Sequence, residues 1–229
     1  MTFLYYTDPY LDTFEALIKV LIPLDEEHIG IVLSQTCFFP KSGGAVGDIG
    51  TINDFIVEEA IFDEEKKNVI HPIYTKDKDT DIFKIQDSVN CSINWIRRYD
   101  VMKLHAASHI MEHFLFKLVP HVLLIGTNVN EKRDSSTYQV EEQISDVIIE
   151  ELNKCTNIFI SQNHTITTYP EKEGSDRRIW ECGNIKIPCG GVHPRNTSEI
   201  GPVVIKRKGG GKKQKIITQL VDRPKADIF

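Results

Sequence analysis

Two histidines four residues apart on a strongly helical stretch constrain this chain more than any other feature. Residues 100–118 open on Asp100, which can cap a helix, carry Leu104, Ala107, Met111, Phe114 and Leu118 at helical spacing, and stop before Pro120. The spacing predicts an amphipathic helix of about five turns. Positions four apart share a face, so His105 and His109 stand side by side. Taken alone, the pair reads more simply as two polar residues on a solvated face. Its weight changes with Pro188-Cys189-Gly190-Gly191-Val192-His193, where a Cys and a His are again four apart around a turn that the glycines permit. His105, His109, Cys189 and His193 then make a tetrahedral donor set suited to zinc, which accepts imidazole and thiolate together. Ala106 follows His105, so the Glu of the zinc-protease motif is missing and a thermolysin-like site is excluded. His113 continues the same face and reads as a packing residue more readily than as a substitute ligand.

The chain is long enough to bury a core without staples: 229 residues, 41% apolar and 26% charged. Cysteines at 37, 91, 155, 182 and 189 are odd in number and irregularly spaced, and the N-terminus lacks a basic-then-apolar leader. Both point to a reducing, cytoplasmic setting. No apolar run approaches the roughly 20 residues that span a bilayer. The net charge of −6 argues against general nucleic-acid binding, yet it is uneven. Residues 206–215 hold six cations and no acid, whereas residues 58–65 and 141–151 are acidic. Such a basic loop suits a phosphate backbone, or serves only as a solvated turn.

Along the chain, residues 1–27 read as a short strand with its connection, and residues 29–33 as a second strand. A glycine-dense loop comes next over residues 35–50, without the Lys and Ser/Thr of a P-loop or the spacing of a dinucleotide fingerprint. Strand-like runs recur at 51–57, 69–74 and 89–95, the last alternating Val89, Cys91, Ile93 and Trp95 with polar partners. The charge run 76–81 reads as an exposed turn. Together these predict a small β-barrel over residues 1–94. Residues 95–229 predict an α+β unit: the histidine helix, a strand at 136–140, a helix capped by Ser145, strands at 158–169 and 179–187, and a closing hairpin of 203–206 with 216–221. Cys182 reads as a small buried apolar residue.

With these segments in this order, the chain resembles the alanyl-tRNA editing family, the free-standing AlaX-type proteins and the editing domain of alanyl-tRNA synthetase. That domain shares its fold with the editing domain of threonyl-tRNA synthetase. Residues 36–50 resemble the family's glycine loop, residues 104–110 its His-x-x-x-His helix, and residues 185–193 its Cys-Gly-Gly-Thr-His segment; residues 196–201 resemble the stretch just beyond that segment. The presence of the N-terminal unit makes it similar to the longer, two-domain kind. The sequence departs from the pattern at Ser42 and Ala45, where the loop has a third Gly and a Gln, and at Val192, where the family has Thr. A Gln of synthetase editing domains falls near Ile125.

The resemblance implies an ATP-independent hydrolase of translation fidelity that removes a wrong amino acid, chiefly serine and also glycine, from tRNA specific for alanine. It implies one zinc per chain on His105, His109, Cys189 and His193, with Thr36, Gly43 and Gly44 beside the substrate. The ion would orient the aminoacyl group and polarise a water, or serve structure alone. Arg97, Arg98, Arg207, Lys212 and Lys213 are the candidate tRNA contacts. Lys103, which also flanks the helix start, is a weaker one. Alternatives are an RNA-binding module with structural zinc and a zinc hydrolase of another small ester. Monomer and homodimer both remain open.

Overall fold

Period-two alternation builds the first unit. The computed structural model describes residues 1–75 and 83–222, so the charge run at 76–81 lies outside the described residues. The first unit comprises Met1–Ser42 and Val46–Arg98. Its strands are β1 (Thr2–Phe3), β2 (Thr13–Pro23), β3 (His28–Leu33), β4 (Gln35–Thr36), β5 (Gly50–Ile52), β6 (Phe55–Val57), β7 (Ile61–Phe62), β8 (Val69–Tyr74) and β9 (Ser88–Ile93). Six of them run antiparallel in the order β3-β2-β9-β5-β6-β8, and β8 pairs back onto β3, closing a barrel; β7 adds to β8. Closure leaves the six strands no open edge. Ile18, Ile31, Leu33, Ile52, Val57, Ile73, Val89 and Ile93 alternate inward to form its core.

The expected barrel is therefore present, but β2 is an eleven-residue strand, not a short one with a long connection. It pairs with β9 along Thr13 to Leu17 and with β3 from Ile18 onward, with a register shift between Ile18 and Val20. That irregularity breaks the alternation by which a strand is recognised.

The second unit comprises Gly43–Ala45 and the chain from Tyr99 onward. Helix α1 (Trp95–Leu118) starts ahead of the expected Asp100. Asn94 is its cap, accepting from the backbone N–H of Arg97 at 3.1 Å, while Asp100 pairs with Lys103 at 2.7 Å. Then come β10 (Leu123–Gly126), β11 (Val129–Asn130), β12 (Arg133–Gln139), α2 (Asp146–Ser161), β13 (Ile166–Pro170), β14 (Arg178–Cys182), β15 (Ile185–Pro188), β16 (Val203–Lys208) and β17 (Lys213–Leu220). One antiparallel sheet runs β10-β12-β17-β16 with β11 also on β12; a second runs β13-β14-β15. Their core unites Ala107, Ile110, Met111 and Leu115 of α1, Leu152, Phe159 and Ile160 of α2, and Tyr138, Trp180, Ile205 and Ile216 of the sheets. This is the expected α+β arrangement of helices on antiparallel sheet.

Ser145 caps α2, as its position predicts, accepting from the Ile148 N–H. Residues 158–161, read from sequence as the start of a strand, are instead its last turn. Leu152, Thr156, Phe159 and Ile160 are its buried positions, and that helical burial overrides the β-preference of an Ile-Phe-Ile run.

Asn153 and Asn157 of α2 do an uncommon job. Each side-chain amide both donates to and accepts from the exposed edge of β16: Asn153 with the carbonyl and N–H of Ile205, both at 2.7 Å, and Asn157 with those of Val203 at 2.9 and 2.8 Å. One helical turn advances four residues by about 6 Å, and two strand residues by about 6.6 Å, so the periods match. Helix α2 thus satisfies the sheet edge as another strand would.

Candidate metal centre

The second unit brings four donors together from two distant stretches. His105 and His109 project from one face of α1 with ring centroids 4.5 Å apart. Cys189 follows β15, its N–H held by the Arg178 carbonyl at 2.9 Å, and His193 lies beyond the Gly190-Gly191 turn. The segment after His193 is anchored in turn: Asn196 and Glu199 form a reciprocal capping box, and Thr197 donates to the Ile160 carbonyl at 2.8 Å.

The Nε2 atoms of His109, His193 and His105 lie 3.3, 3.6 and 3.7 Å from Cys189 Sγ. All four ligand atoms fall within 4.8 Å of one another. For metal–ligand bonds of about 2.0–2.3 Å, tetrahedral edges come to roughly 3.3–3.8 Å, so the sulfur-to-nitrogen distances suit one shared ion. Electrostatics agree. Burial lowers the His105 pKa to about 4, and burial with the neighbouring imidazoles holds His109 and His193 well below the ordinary range. Three neutral imidazoles, the form that ligates metals, therefore face a thiol whose pKa burial raises to about 11. A bound cation would reverse the thiol's preference and favour thiolate.

Neighbours that spacing did not reveal complete the site. Trp180 of β14 packs its ring 5.0 Å from that of His109 and 5.9 Å from that of His193, and Thr168 Oγ1 of β13 lies 3.4 Å from His193 Nδ1. Both depend on the register of β13 with β14, which pairs Thr168 with Trp180. Gly191 abuts the His105 ring, leaving no space for a side chain. One turn past His109, Glu112 accepts from the buried Tyr138 hydroxyl at 2.7 Å, while Asp134 accepts from Ser108 and Ser136 at 3.1 and 2.8 Å. No local pattern marks these partners.

The other sequence-derived candidates lie elsewhere. Gly43 and Gly44, at φ +58° and +83°, form the tip of the glycine loop and pack on Thr127, whose hydroxyl donates to the Gly43 carbonyl at 3.1 Å; the Val129 N–H donates to Gly44 at 2.8 Å. Thr36 is buried in the first unit, where its hydroxyl meets His71 Nε2 at 2.9 Å and accepts from the Phe38 N–H. Arg97 donates to the Gly47 carbonyl at 2.5 Å. The expected phosphate contact at Arg98 needs correction. Arg98 is 1% exposed, paired with Asp48 and bonded to the carbonyls of Pro9 and Cys37, so its charge serves the interior of the first unit. Lys103, paired with Asp100, is 8% exposed. Arg207 pairs with Asp146 at 3.0 Å, whereas Lys212 in the β16–β17 turn and Lys213 at the start of β17 stand exposed. His113 packs on Phe114 and is not among the four converging residues. All five cysteines are free. Among the described residues, no helix is long and apolar enough to cross a membrane.

Fold and site together define a two-unit protein with a closed β-barrel and an α+β unit in which three histidines and a cysteine converge in a group that could hold a metal ion. No protein-family model matches the chain. It is 31% identical over 203 residues to alanyl-tRNA editing protein AlaX-M of Pyrococcus horikoshii, which covers 87% of this chain and 88% of that protein. It is 30% identical over 228 residues to AlaX-L of the same organism and 27% identical over 222 residues to the alanine–tRNA ligase of Methanococcus maripaludis. The chain spans 53% of the length of AlaX-L and 24% of that of the ligase. It belongs to the alanyl-tRNA editing protein family.

Proposed function

We propose that this deacylase hydrolyses the ester of mischarged tRNA specific for alanine, chiefly Ser-tRNA and also Gly-tRNA, in the cytoplasm, with one zinc held by His105, His109, Cys189 and His193. The observation that carries the reading is the convergence of those four donors in a chain that parallels AlaX-M along 87% of its length. An alanine-sized synthetic pocket discriminates weakly against near-isosteric amino acids, which is why a second, hydrolytic site is useful. When bound, the ion supplies Lewis-acid polarisation and a fixed point that orients the aminoacyl group. The chain's own residues do the rest. His105 and His109 hold their rings on the rigid α1, Thr168 and Trp180 fix the orientation of His193, and burial keeps the imidazoles neutral. Gly43, Gly44 and Thr36 are the proposed substrate-side residues, and Lys212 and Lys213 the proposed phosphate contacts.

A second reading draws on the donor set itself. Four protein ligands close a tetrahedral site, as in structural zinc centres, so an RNA-binding protein with a structural ion is the alternative. The deciding experiment measures release of serine from Ser-tRNA specific for alanine, with Ala-tRNA and Ser-tRNA specific for serine as controls, for the native chain and Cys189→Ala. Release from the mischarged tRNA alone, lost in the variant, supports editing. Binding of tRNA with zinc present and no release from any substrate favours the alternative.

A further inference from the structure

The β10-β12-β17-β16 sheet has two unlike faces. Asp134, Ser136, Tyr138, Gln214, Ile216, Val203 and Ile205 are buried on the side of the helices. The intervening residues point the other way, and their register places them in rows: Lys208 beside Lys215 beside Thr137, Lys206 beside Ile217 beside Ser135, Val204 beside Gln219, and Lys213 beside Gln139. Arg133 lies on the same side of β12. This face carries Lys206, Lys208, Lys213, Lys215 and Arg133, flanked by hydroxyl and amide side chains, and these three strands put no carboxylate on it. The chain as a whole has a net charge of −6, so the segregation is pronounced.

Three details separate this face from an ordinary solvated one. All four lysines are exposed, and none makes an ion pair among the described residues. Lys208 and Lys215 are direct cross-strand partners, an arrangement of like charges that costs stability unless an anion is shared between them. Arg207, the one cation of β16 on the opposite side, is neutralised by Asp146. Positive charge is thus left uncompensated on one side only.

We propose that this outer face is the surface on which the phosphate backbone of the tRNA acceptor stem lies, with Lys206, Lys208, Lys213 and Lys215 as its contacts. The proposal rests on the tRNA reading above and extends it from the turn to the sheet. Charge complementarity selects the occupant: residues alternate along a strand at about 6.6 Å per pair, which sets lysines in two short rows suited to successive phosphates, and Ser135, Thr137 and Gln139 can donate to phosphate oxygens. Contacts of this kind suit recognition of an RNA duplex by its shape and backbone.

The test uses the full chain with Lys206, Lys208, Lys213 and Lys215 all changed to Gln, and a charge-matched control with Lys19, Lys67, Lys117 and Lys154 changed to Gln. Affinity for mischarged tRNA is measured from 50 to 300 mM salt, alongside kcat and KM for deacylation. Four lost phosphate contacts should flatten the slope of log affinity against log salt by about three, raise KM and leave kcat in place, with the control unchanged. A slope like that of the native chain, or an equal change in the control, overturns the proposal, since the effect would then be absent or owed to net charge alone. If the native chain itself neither binds nor deacylates the tRNA, the functional reading fails first. Binding of the native chain to phosphatidylserine vesicles in place of tRNA also overturns the proposal, by assigning the face to a membrane surface.

Discussion

Replacing Gly191 with alanine tests whether the His105 ring is a ligand or merely a neighbour. A Cβ on residue 191 would stand 2.7 Å from His105 Nδ1, closer still to Cε1, and 3.4 Å from His193 Cε1. Non-bonded heavy atoms settle near about 3.5 Å, so the ring must retreat by roughly 1 Å. Metal–ligand distances are held to about 0.2 Å, so the retreat exceeds what coordination allows. The imidazole can swing on its side-chain torsions without disturbing α1, and the damage should fall on coordination more than on folding. If four donors share the about 10–16 kcal/mol typical of a structural zinc site, losing one costs roughly 2.5–4 kcal/mol, two to three orders of magnitude in Kd. Competition against a chromophoric chelator measures that change, with circular dichroism reporting the fold. Gly126→Ala is the control, because a Cβ there meets nothing within 4 Å. A folded Gly191→Ala protein that binds zinc with native affinity would refute the reasoning and remove His105 from the ligand set.

The packing sets three further outcomes. Arg98→Ala should destabilise the first unit by about 3–5 kcal/mol in urea unfolding, because Asp48 is left as a buried charge without its partner; a loss below about 1 kcal/mol would show that Asp48 is resolvated. Asn153→Ala orphans the N–H and carbonyl of Ile205, at about 1–3 kcal/mol each, and should lower the urea midpoint well beyond Asn130→Ala at a surface turn. Burial lifts the Asp134 carboxyl from 3.8 to about 7, so its contribution to stability is full below pH 3.8 and disappears as pH rises through 7. The unfolding free energy of the native chain minus that of Asp134→Asn should therefore fall across that window by up to roughly 4 kcal/mol, and a flat difference would show that the carboxyl is not held protonated.

The site was legible where chemistry and local period coincide. His105 with His109 and Cys189 with His193 each sit four apart, one pair on a helix and the other across a glycine turn, so both pairs announce themselves without the fold. Ser145 was legible for the same reason, as a cap directly before an apolar run. The features that stayed hidden depend on partners far along the chain. Arg98 reads as an exposed cation until Asp48, fifty residues earlier, is seen to bury it. Trp180 and Thr168 reach the histidines only through strand register, and Asn153 and Asn157 look like ordinary polar helix positions until β16 lies beside them. Strand β10 carries four exposed residues in a row and so shows no alternation to read.

Sealing β16 with asparagine amides has a consequence for association. The opposite side of the same sheet is partly closed as well, since Ala45 forms a parallel bridge with Val129 of β11. Within this sheet, among the described residues, β10 is the end strand that has neither a strand nor these asparagine amides on its outer side. A sheet with one open edge can be extended once. If two copies ever meet strand to strand there, a two-fold pairing consumes both edges, and growth stops at a dimer instead of running on into a fibre.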